Sequence, residues 1–285
     1  MEEKMKVVTG ETPLIPISNG LIWGKLETHN RSGSVKDRMI DYIMSVALQY
    51  KHVKAGLTTL VEATSGNTGI SLSSYAASLG CPCKIIMPRN MSQQRKDMMR
   101  AYGAEIIETG DNDFMGAIAI RNEMVKEENV FSPMQFSNPL NVDCHYNTTA
   151  PEIYEQCVDM GLDWRTFVHG AGTGGTMMGV KKFIDKAGLD IKCVLTQPAE
   201  DNASHGIQGI NDGADFLLDR ELMNCVESIK TEDAIKRMKQ FWQETGILVG
   251  ISSGANILAS EKYMKTFNPP GIIITVLCDR GERYL

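Results

Sequence analysis

The chain predicts an α/β architecture: two domains built on mostly parallel twisted sheets flanked by helices. Three observations carry that expectation. Short β-rich runs are apolar throughout instead of alternating, as in strands covered on both faces. Helix-like stretches lie between them. The 285 residues, at about 150 per domain, allow one large or two intertwined domains, each with its own core.

In chain order the strands are TTLVEAT at 58–64, KIIMP at 84–88, AEIIE at 104–108, TFVHG at 166–170, KCVLTQ at 192–197 and IIITVL at 272–277. Phe114, Ala117, Ile118, Met124 and Val125 recur at helical spacing, and Ala234, Met238 and Phe241 mark one face of a helix from Thr231 to Thr245. Both stripes read as core. No internal repeat, low-complexity tract or Gly/Ser linker appears, so composition marks no domain boundary. In parallel sheets, ligands bind beyond the carboxyl ends of strands, where loops enter helix N-termini.

Composition narrows the function classes. With 42% hydrophobic and 22% charged residues the chain is an ordinary globular one. Lys and Arg number 29 against 35 Asp and Glu, a net charge of -6, so there is no basic footprint for nucleic acid or anionic lipid. The longest apolar run, Ile272 to Cys278, falls far short of the ~20 residues that cross a bilayer. The acidic start MEEKMK also lacks a signal-peptide core, so a cytoplasmic protein without a membrane partner is expected. Cys81, Cys83, Cys144, Cys157, Cys193, Cys225 and Cys278 show no paired spacing, which argues against a disulfide framework. Cys81 and Cys83 have no second Cys or His pair nearby, and no metal site is expected.

Four strand-to-helix segments carry chemistry. NRSGSVKDRMI (30–40) opens a helix with Lys36 in its first turn, beside Asp37 and Arg38. The positive end of the helix dipole disfavours an ammonium there and favours the neutral amine that forms a Schiff base with an aldehyde. The plainer reading is a solvated lysine in a capping turn. EATSGNTGIS (62–71) groups Thr64, Ser65, Asn67 and Thr68 around two glycines. Hydroxyls, an amide and backbone N–H groups at a helix N-terminus suit a substrate carboxylate, whereas a helix cap accounts for one such residue but hardly four.

HGAGTGGTMMGV (169–180) sets Gly170, Gly172, Gly174 and Gly175 among Thr173 and Thr176, letting the backbone close on a phosphate. It lacks the Lys of a nucleotide P-loop and departs from GxGxxG at Met177, so a small monophosphate suits it better. GILVGISSGANI (246–257) brings Ser252 and Ser253 to a helix start, where either hydroxyl could meet a ring nitrogen or cap the helix. The four segments together ask for an aldehyde, a monophosphate, a ring nitrogen and an amino-acid carboxylate. Pyridoxal 5'-phosphate carrying an amino acid meets all four demands. A serine at the ring nitrogen restrains the electron sink, favouring β-elimination and β-replacement over transamination.

These segments, with GETPLI (10–15), MSQQRKDMMRAYGAE (91–105), QFSNPLNVDCHYNTTAPEI (135–153), GIQGI (206–210) and CDRGERYL (278–285), resemble the cysteine synthase / cystathionine β-synthase family over nearly the whole chain. NMSQQR, CDRGERYL and the stretch from Gln197 to Gly209 are most similar to its cysteine synthase B branch. The resemblance implies the two-domain fold type II of pyridoxal-phosphate enzymes, like the tryptophan synthase β-subunit. It implies that Lys36 forms the Schiff base and moves the α-proton, that Asn67 meets the ring oxygen, and that Gly172, Thr173, Gly174, Gly175 and Thr176 hold the phosphate. Ser252 would meet the ring nitrogen, and Thr64, Ser65, Asn67, Thr68 and Gln135 would hold the substrate carboxylate. It further implies a smaller mobile domain, 40–140, that closes on a larger cofactor-binding domain, 1–39 plus 141–285, in a homodimer. The implied reaction is β-replacement on a serine or cysteine derivative through an α-aminoacrylate, with O-acetyl-L-serine plus sulfide giving L-cysteine as first expectation.

The chain departs from that pattern where the family's IQGIGAG reads IQGINDG, placing Asn211 and Asp212 where small residues line the approach of the nucleophile. A carboxylate there would repel hydrosulfide by ~1 to 4 kcal/mol at about 4 Å. It would instead accept a proton from water or a thiol. Asp212 as a catalytic residue opens an alternative: L-cysteine plus water giving L-serine and hydrogen sulfide, or a thiol giving a thioether such as cystathionine or lanthionine. An aspartate facing solvent in a Gly-flanked turn is the plain alternative. Gln208 and Gly209 replace a basic pair of the cysteine synthase B branch, which argues against thiosulfate as sulfur donor. The chain stops at RYL, so no appended regulatory domain is expected. A catalytically silent scaffold is disfavoured because every expected functional position is filled. Cys278 reads as a buried thiol at the end of the last strand, His145 and His169 lack carboxylate partners at motif spacing, and Asp279 with Arg280 resembles a terminal ion pair.

Overall fold

Asn19 and Gly20, with φ of 45° and 71°, turn the chain so that LIPIS folds back on IWGKL as an antiparallel pair. That hairpin begins the fold in the computed structural model, which describes residues 9–64, 66–201, 206–207, 209–210 and 215–285. The strands are β1 (Leu14–Ser18), β2 (Ile22–Leu26), β3 (Thr59–Ala63), β4 (Cys83–Pro88), β5 (Glu105–Thr109), β6 (Val130–Phe131), β7 (Trp164–Gly170), β8 (Lys192–Pro198), β9 (Cys225–Ile229) and β10 (Ile272–Leu277). The α-helices are α1 (Lys36–Gln49), α2 (Asn67–Leu79), α3 (Gln93–Ala101), α4 (Phe114–Met124), α5 (Leu140–Cys144), α6 (Ala150–Asp159), α7 (Gly175–Lys186), α8 (Thr231–Thr245) and α9 (Ile251–Phe267). No helix among the described residues is long and apolar enough to cross a membrane.

The chain divides into two units. The first comprises Asn30–Asn138 together with Thr9, and the second Gly10–His29 and Pro139–Leu285. Lys36 falls in the first of these units, whereas the boundary at 39/40 that the resemblance implies would assign it to the larger domain.

The first unit is built on a parallel sheet of order β5-β4-β3-β6. Val61, Ala63 and Ile86 meet Ala117 of α4 in its core, and Ile107, Ile118, Met124 and Val125 pack around them. The apolar stripe expected from 114 to 125 is thus a core stripe. The second unit carries a sheet of order β1-β2-β10-β7-β8-β9, parallel except for β1. Val168, Val194 and Ile273 pack against Ala255, Ala259 and Tyr263 of α9. Leu26 and Leu277 pack with Met238 and Phe241 of α8 in a neighbouring cluster. All six expected strands are present. β1, β2, β6 and β9 are additional: β1 carries Pro16 at a sheet edge, β6 has two residues, and β9 is half exposed at the other edge.

Candidate active site

The loops of interest leave the carboxyl ends of central strands. In the first unit the turn before α1 is fixed by Asp37, whose carboxylate accepts from Ser32 N–H (2.8 Å), Ser34 N–H (3.4 Å) and Ser32 Oγ (2.7 Å). Gly33 takes φ 86°, and Asn30 Nδ2 donates to the Ser34 carbonyl at 3.2 Å. This bracing sets Lys36 as the first residue of α1, half-buried, its side chain without a hydrogen bond or ion pair among the described residues.

β3 runs into Thr64 and Gly66, and α2 starts at Asn67. Thr64 Oγ1 accepts from Gly66 N–H at 3.1 Å, and buried Thr68 donates from Oγ1 to Gln135 Oε1 at 2.6 Å. Gln135 Nε2 donates in turn to the Ala63 carbonyl at 3.2 Å, so this side chain braces Thr68 against the end of β3. Beneath lies Glu62, which accepts from Ala63 N–H (2.9 Å), Gln135 N–H (3.2 Å) and Arg121 Nη1 (2.8 Å). Burial pushes the Glu62 carboxyl above its ordinary range, and the Arg121 guanidinium and the backbone amides pull it partly back. A Cβ on Gly66 would lie 2.8 Å from Arg95 side-chain atoms, so a larger residue there would displace that guanidinium. The structure thus groups Thr64, Thr68 and Gln135, with Asn67 half-buried beside them. Ser65 lies outside the described residues.

In the second unit β7 ends at Gly170, and 171–174 lead into α7. Gly174 takes φ 90°, and a Cβ there would sit 2.5 Å from Leu218 N; on Gly175 it would sit 2.0 Å from Asn141 Oδ1. Only bare backbone fits this turn. The first amide of α7 to reach a main-chain carbonyl is that of Met178, at 3.0 Å from Gly174 O, which leaves the Thr176 and Met177 N–H groups at the mouth of the turn. Thr173 and Thr176 are both buried there. Bare backbone, unspent amides at a helix start and two hydroxyls are the donor set a phosphate monoester requires.

β10, next to β7 in the sheet, ends beside Cys278, whose N–H donates to Ser253 Oγ at 2.9 Å. Of the two serines that the sequence left as alternatives, Ser253 is thereby committed to the fold. The hydroxyl of Ser252, also buried, has no hydrogen bond among the described residues. Its neutral hydroxyl stands at the start of α9, on the same sheet edge as the glycine turn.

Three buried residues escaped the sequence reading as site components. Asn256 accepts from Gly170 N–H at 2.9 Å and donates to Val276 O at 3.0 Å, tying the start of the glycine turn to β10. Asn141 and His145 reach Thr173 and Thr176. A polar residue in an otherwise apolar helix or next to a motif was their only signal. Arg280 donates to the Thr28 carbonyl at 2.9 Å, and Asp279 accepts from Tyr284 OH at 2.7 Å. Asn211, Asp212 and Gln208 lie outside the described residues.

Residues 6–279 match the family described as pyridoxal-phosphate dependent enzyme, and the chain belongs to it. It is a pyridoxal-phosphate-dependent β-replacement enzyme of the cysteine synthase type. It is 36% identical to a cysteine synthase of Staphylococcus aureus over 295 aligned positions, covering 98% of this chain and 94% of the relative. It is 37% identical to cysteine synthase B of Escherichia coli over 284 positions, covering 97% and 92%. Among solved structures it resembles a hydrogen sulfide-producing enzyme from Fusobacterium nucleatum, with a TM-score of 0.89, 34% identity, and coverage of 98% of this chain and 88% of that one. A mutant of that enzyme with aspartate replaced by asparagine has been crystallised with an α-aminoacrylate intermediate.

Proposed function

We propose that the chain makes L-cysteine and acetate from O-acetyl-L-serine and sulfide. Bound pyridoxal phosphate supplies an electron sink for the bond broken at Cα, which lets a leaving group depart from Cβ. Lys36 holds the cofactor aldehyde and moves the α-proton; Gly172, Thr173, Gly174, Gly175 and Thr176 hold its phosphate, and Asn67 its ring oxygen. Thr64, Ser65, Asn67, Thr68 and Gln135 receive the substrate carboxylate. The observation that carries the reading is the uncommitted Ser252 hydroxyl on the sheet edge that bears the glycine turn. A neutral partner does not protonate the ring nitrogen, which suits chemistry at Cβ. The names of the two curated relatives support the same reaction.

The purified protein is expected to absorb in the visible, with Lys36→Ala abolishing the band and turnover. Colourless wild-type protein after incubation with the cofactor would overturn the reading. A second reading takes L-cysteine and water to L-serine and hydrogen sulfide, with Asp212 accepting the water proton. The departure IQGINDG and the hydrogen sulfide-producing relative, in which an aspartate was the residue replaced, support it. Cysteine supplied alone then releases sulfide, and Asp212→Gly suppresses serine formation; unchanged serine yield sinks the water-activating role. The resemblance also supports a cytoplasmic homodimer, for which mass measurement in solution is the check.

A further inference from the structure

The segment from 141 to 149 runs under the glycine turn and touches both of its threonines. Asn141 Nδ2 donates to Thr173 Oγ1 at 3.0 Å, and Gly175 N–H approaches the same oxygen at 3.4 Å. An amide nitrogen can only donate, so both acceptor positions of this hydroxyl are taken and its own hydrogen must point elsewhere. His145 stands in the same relation to Thr176, with Nε2 at 3.2 Å from Oγ1, while its Nδ1 lies 2.8 Å from Thr149 Oγ1. All five side chains are buried.

The backbone gives this contact its shape. Residues His145–Thr149 form a π-helical turn, which sets His145 and Thr149 one wide turn apart on the same side. Gly179 of α7 lets that turn come close, since a Cβ there would lie 2.5 Å from His145 Cβ and 2.7 Å from Val142 O.

We propose that Asn141 and His145 are positioning residues that aim the Thr173 and Thr176 hydroxyl hydrogens at the cofactor phosphate. In this arrangement Thr149 donates to His145 Nδ1, which fixes the neutral tautomer carrying its proton on Nε2. Nε2–H then donates to Thr176 Oγ1, and both threonines donate outward. The opposite tautomer would turn the Thr176 hydrogen inward and remove a donor from the turn. The inference rests on the phosphate assignment made under the proposed function.

The test compares the affinity of apo-protein for pyridoxal 5'-phosphate and for pyridoxal, which has the aldehyde without the phosphate. Asn141→Asp turns the donor into an acceptor and adds a negative charge; His145→Leu removes the other donor. Each is expected to weaken pyridoxal phosphate binding about ten- to hundredfold, the loss typical of one hydrogen bond to a charged group. Each should also shift the phosphorus resonance of the bound cofactor and leave pyridoxal affinity within about twofold. His145→Gln, which restores an amide N–H near the Nε2 position, should recover most of the loss. Equal weakening for both ligands, or unchanged pyridoxal phosphate affinity and phosphorus resonance, overturns the proposal. If wild-type protein takes up neither ligand, the functional reading falls, and this one with it.

Discussion

Replacing Arg121 by Met tests whether the buried ion pair beneath the 64–68 loop holds the first unit together. Glu62 is 0% and Arg121 4% exposed, with their charged atoms 2.8 Å apart. At that 2.8 Å separation the gross attraction is about 6 kcal/mol for an effective dielectric of ~20. Much of it offsets desolvation, so removing one partner is expected to cost ~3–5 kcal/mol by leaving a buried carboxylate without a counter-charge. The sign of the pH dependence follows from the raised Glu62 carboxyl. Between the unfolded value of 4.5 and the higher folded value the native state binds the extra proton, so stability falls as pH rises through that window. Losing Arg121 widens the window upward, making the variant's deficit large near neutrality and smaller towards pH ~5. Far-ultraviolet circular dichroism under denaturant is the suitable probe, because Trp23, Trp164 and Trp242 all lie in the second unit. A deficit below about 1 kcal/mol, or one equal at both pH values, would refute the reasoning. Pairing Arg121→Met with Glu62→Gln should recover most of the loss, since neither charge of the pair then remains.

Gly175→Ala places a methyl 2.0 Å from Asn141 Oδ1 and should weaken cofactor uptake at least about tenfold, with an overpacking cost of ~1–3 kcal/mol in melting experiments. The neighbouring serines should separate: Ser253→Ala removes the hydroxyl that accepts from the Cys278 N–H and costs about 1–3 kcal/mol of stability, whereas Ser252→Ala changes the cofactor spectrum and turnover with little stability loss. Comparable losses of stability in the two variants would contradict that division. Burial pushes the thiols of Cys83, Cys157 and Cys193 up to about 12 and raises that of Cys225 too, but Cys225 is the half-buried cysteine of the seven and the one a reagent reaches. A disulfide reagent near pH 8 should therefore react first with Cys225, and Cys225→Ser should remove the fast phase.

What the sequence made legible was local. The run IIITVL became the fully buried β10, and Ala234, Met238 and Phe241 became the buried face of α8, because periodicity reports which side of an element meets the core. The hairpin of β1 and β2 was also written locally, in Asn19–Gly20 between two short apolar runs, but Pro16 masked the first of them. Relations between distant residues were not legible. Thr68 and Gln135 meet across 67 positions because β6 lies beside β3, and Asn141 reaches Thr173 because α5 packs on α7. Nor could spacing decide between Ser252 and Ser253, since the choice depends on where the end of β10 falls.

The donors around the glycine turn share a property with a measurable consequence. Thr173, Thr176 and Asn141 are neutral, His145 stands behind Thr176, and the amides at the start of α7 complete the set, so among the described residues of the turn a phosphate meets dipoles instead of a lysine or arginine. Hydroxyls and amides keep their donors at every pH at which the protein is folded. The phosphate monoester itself takes up one proton near pH ~6 and loses about half its charge. The ratio of affinities for pyridoxal phosphate and pyridoxal cancels whatever Lys36 contributes to both. In His145→Gln, which takes the titratable imidazole off Thr176, it should stay level from about pH 7 to about pH 9 and fall as pH drops through ~6, following the ligand's own ionisation. A fall in the ratio above pH ~8 would mean that a lysine holds the phosphate, and the glycine turn would no longer account for its binding.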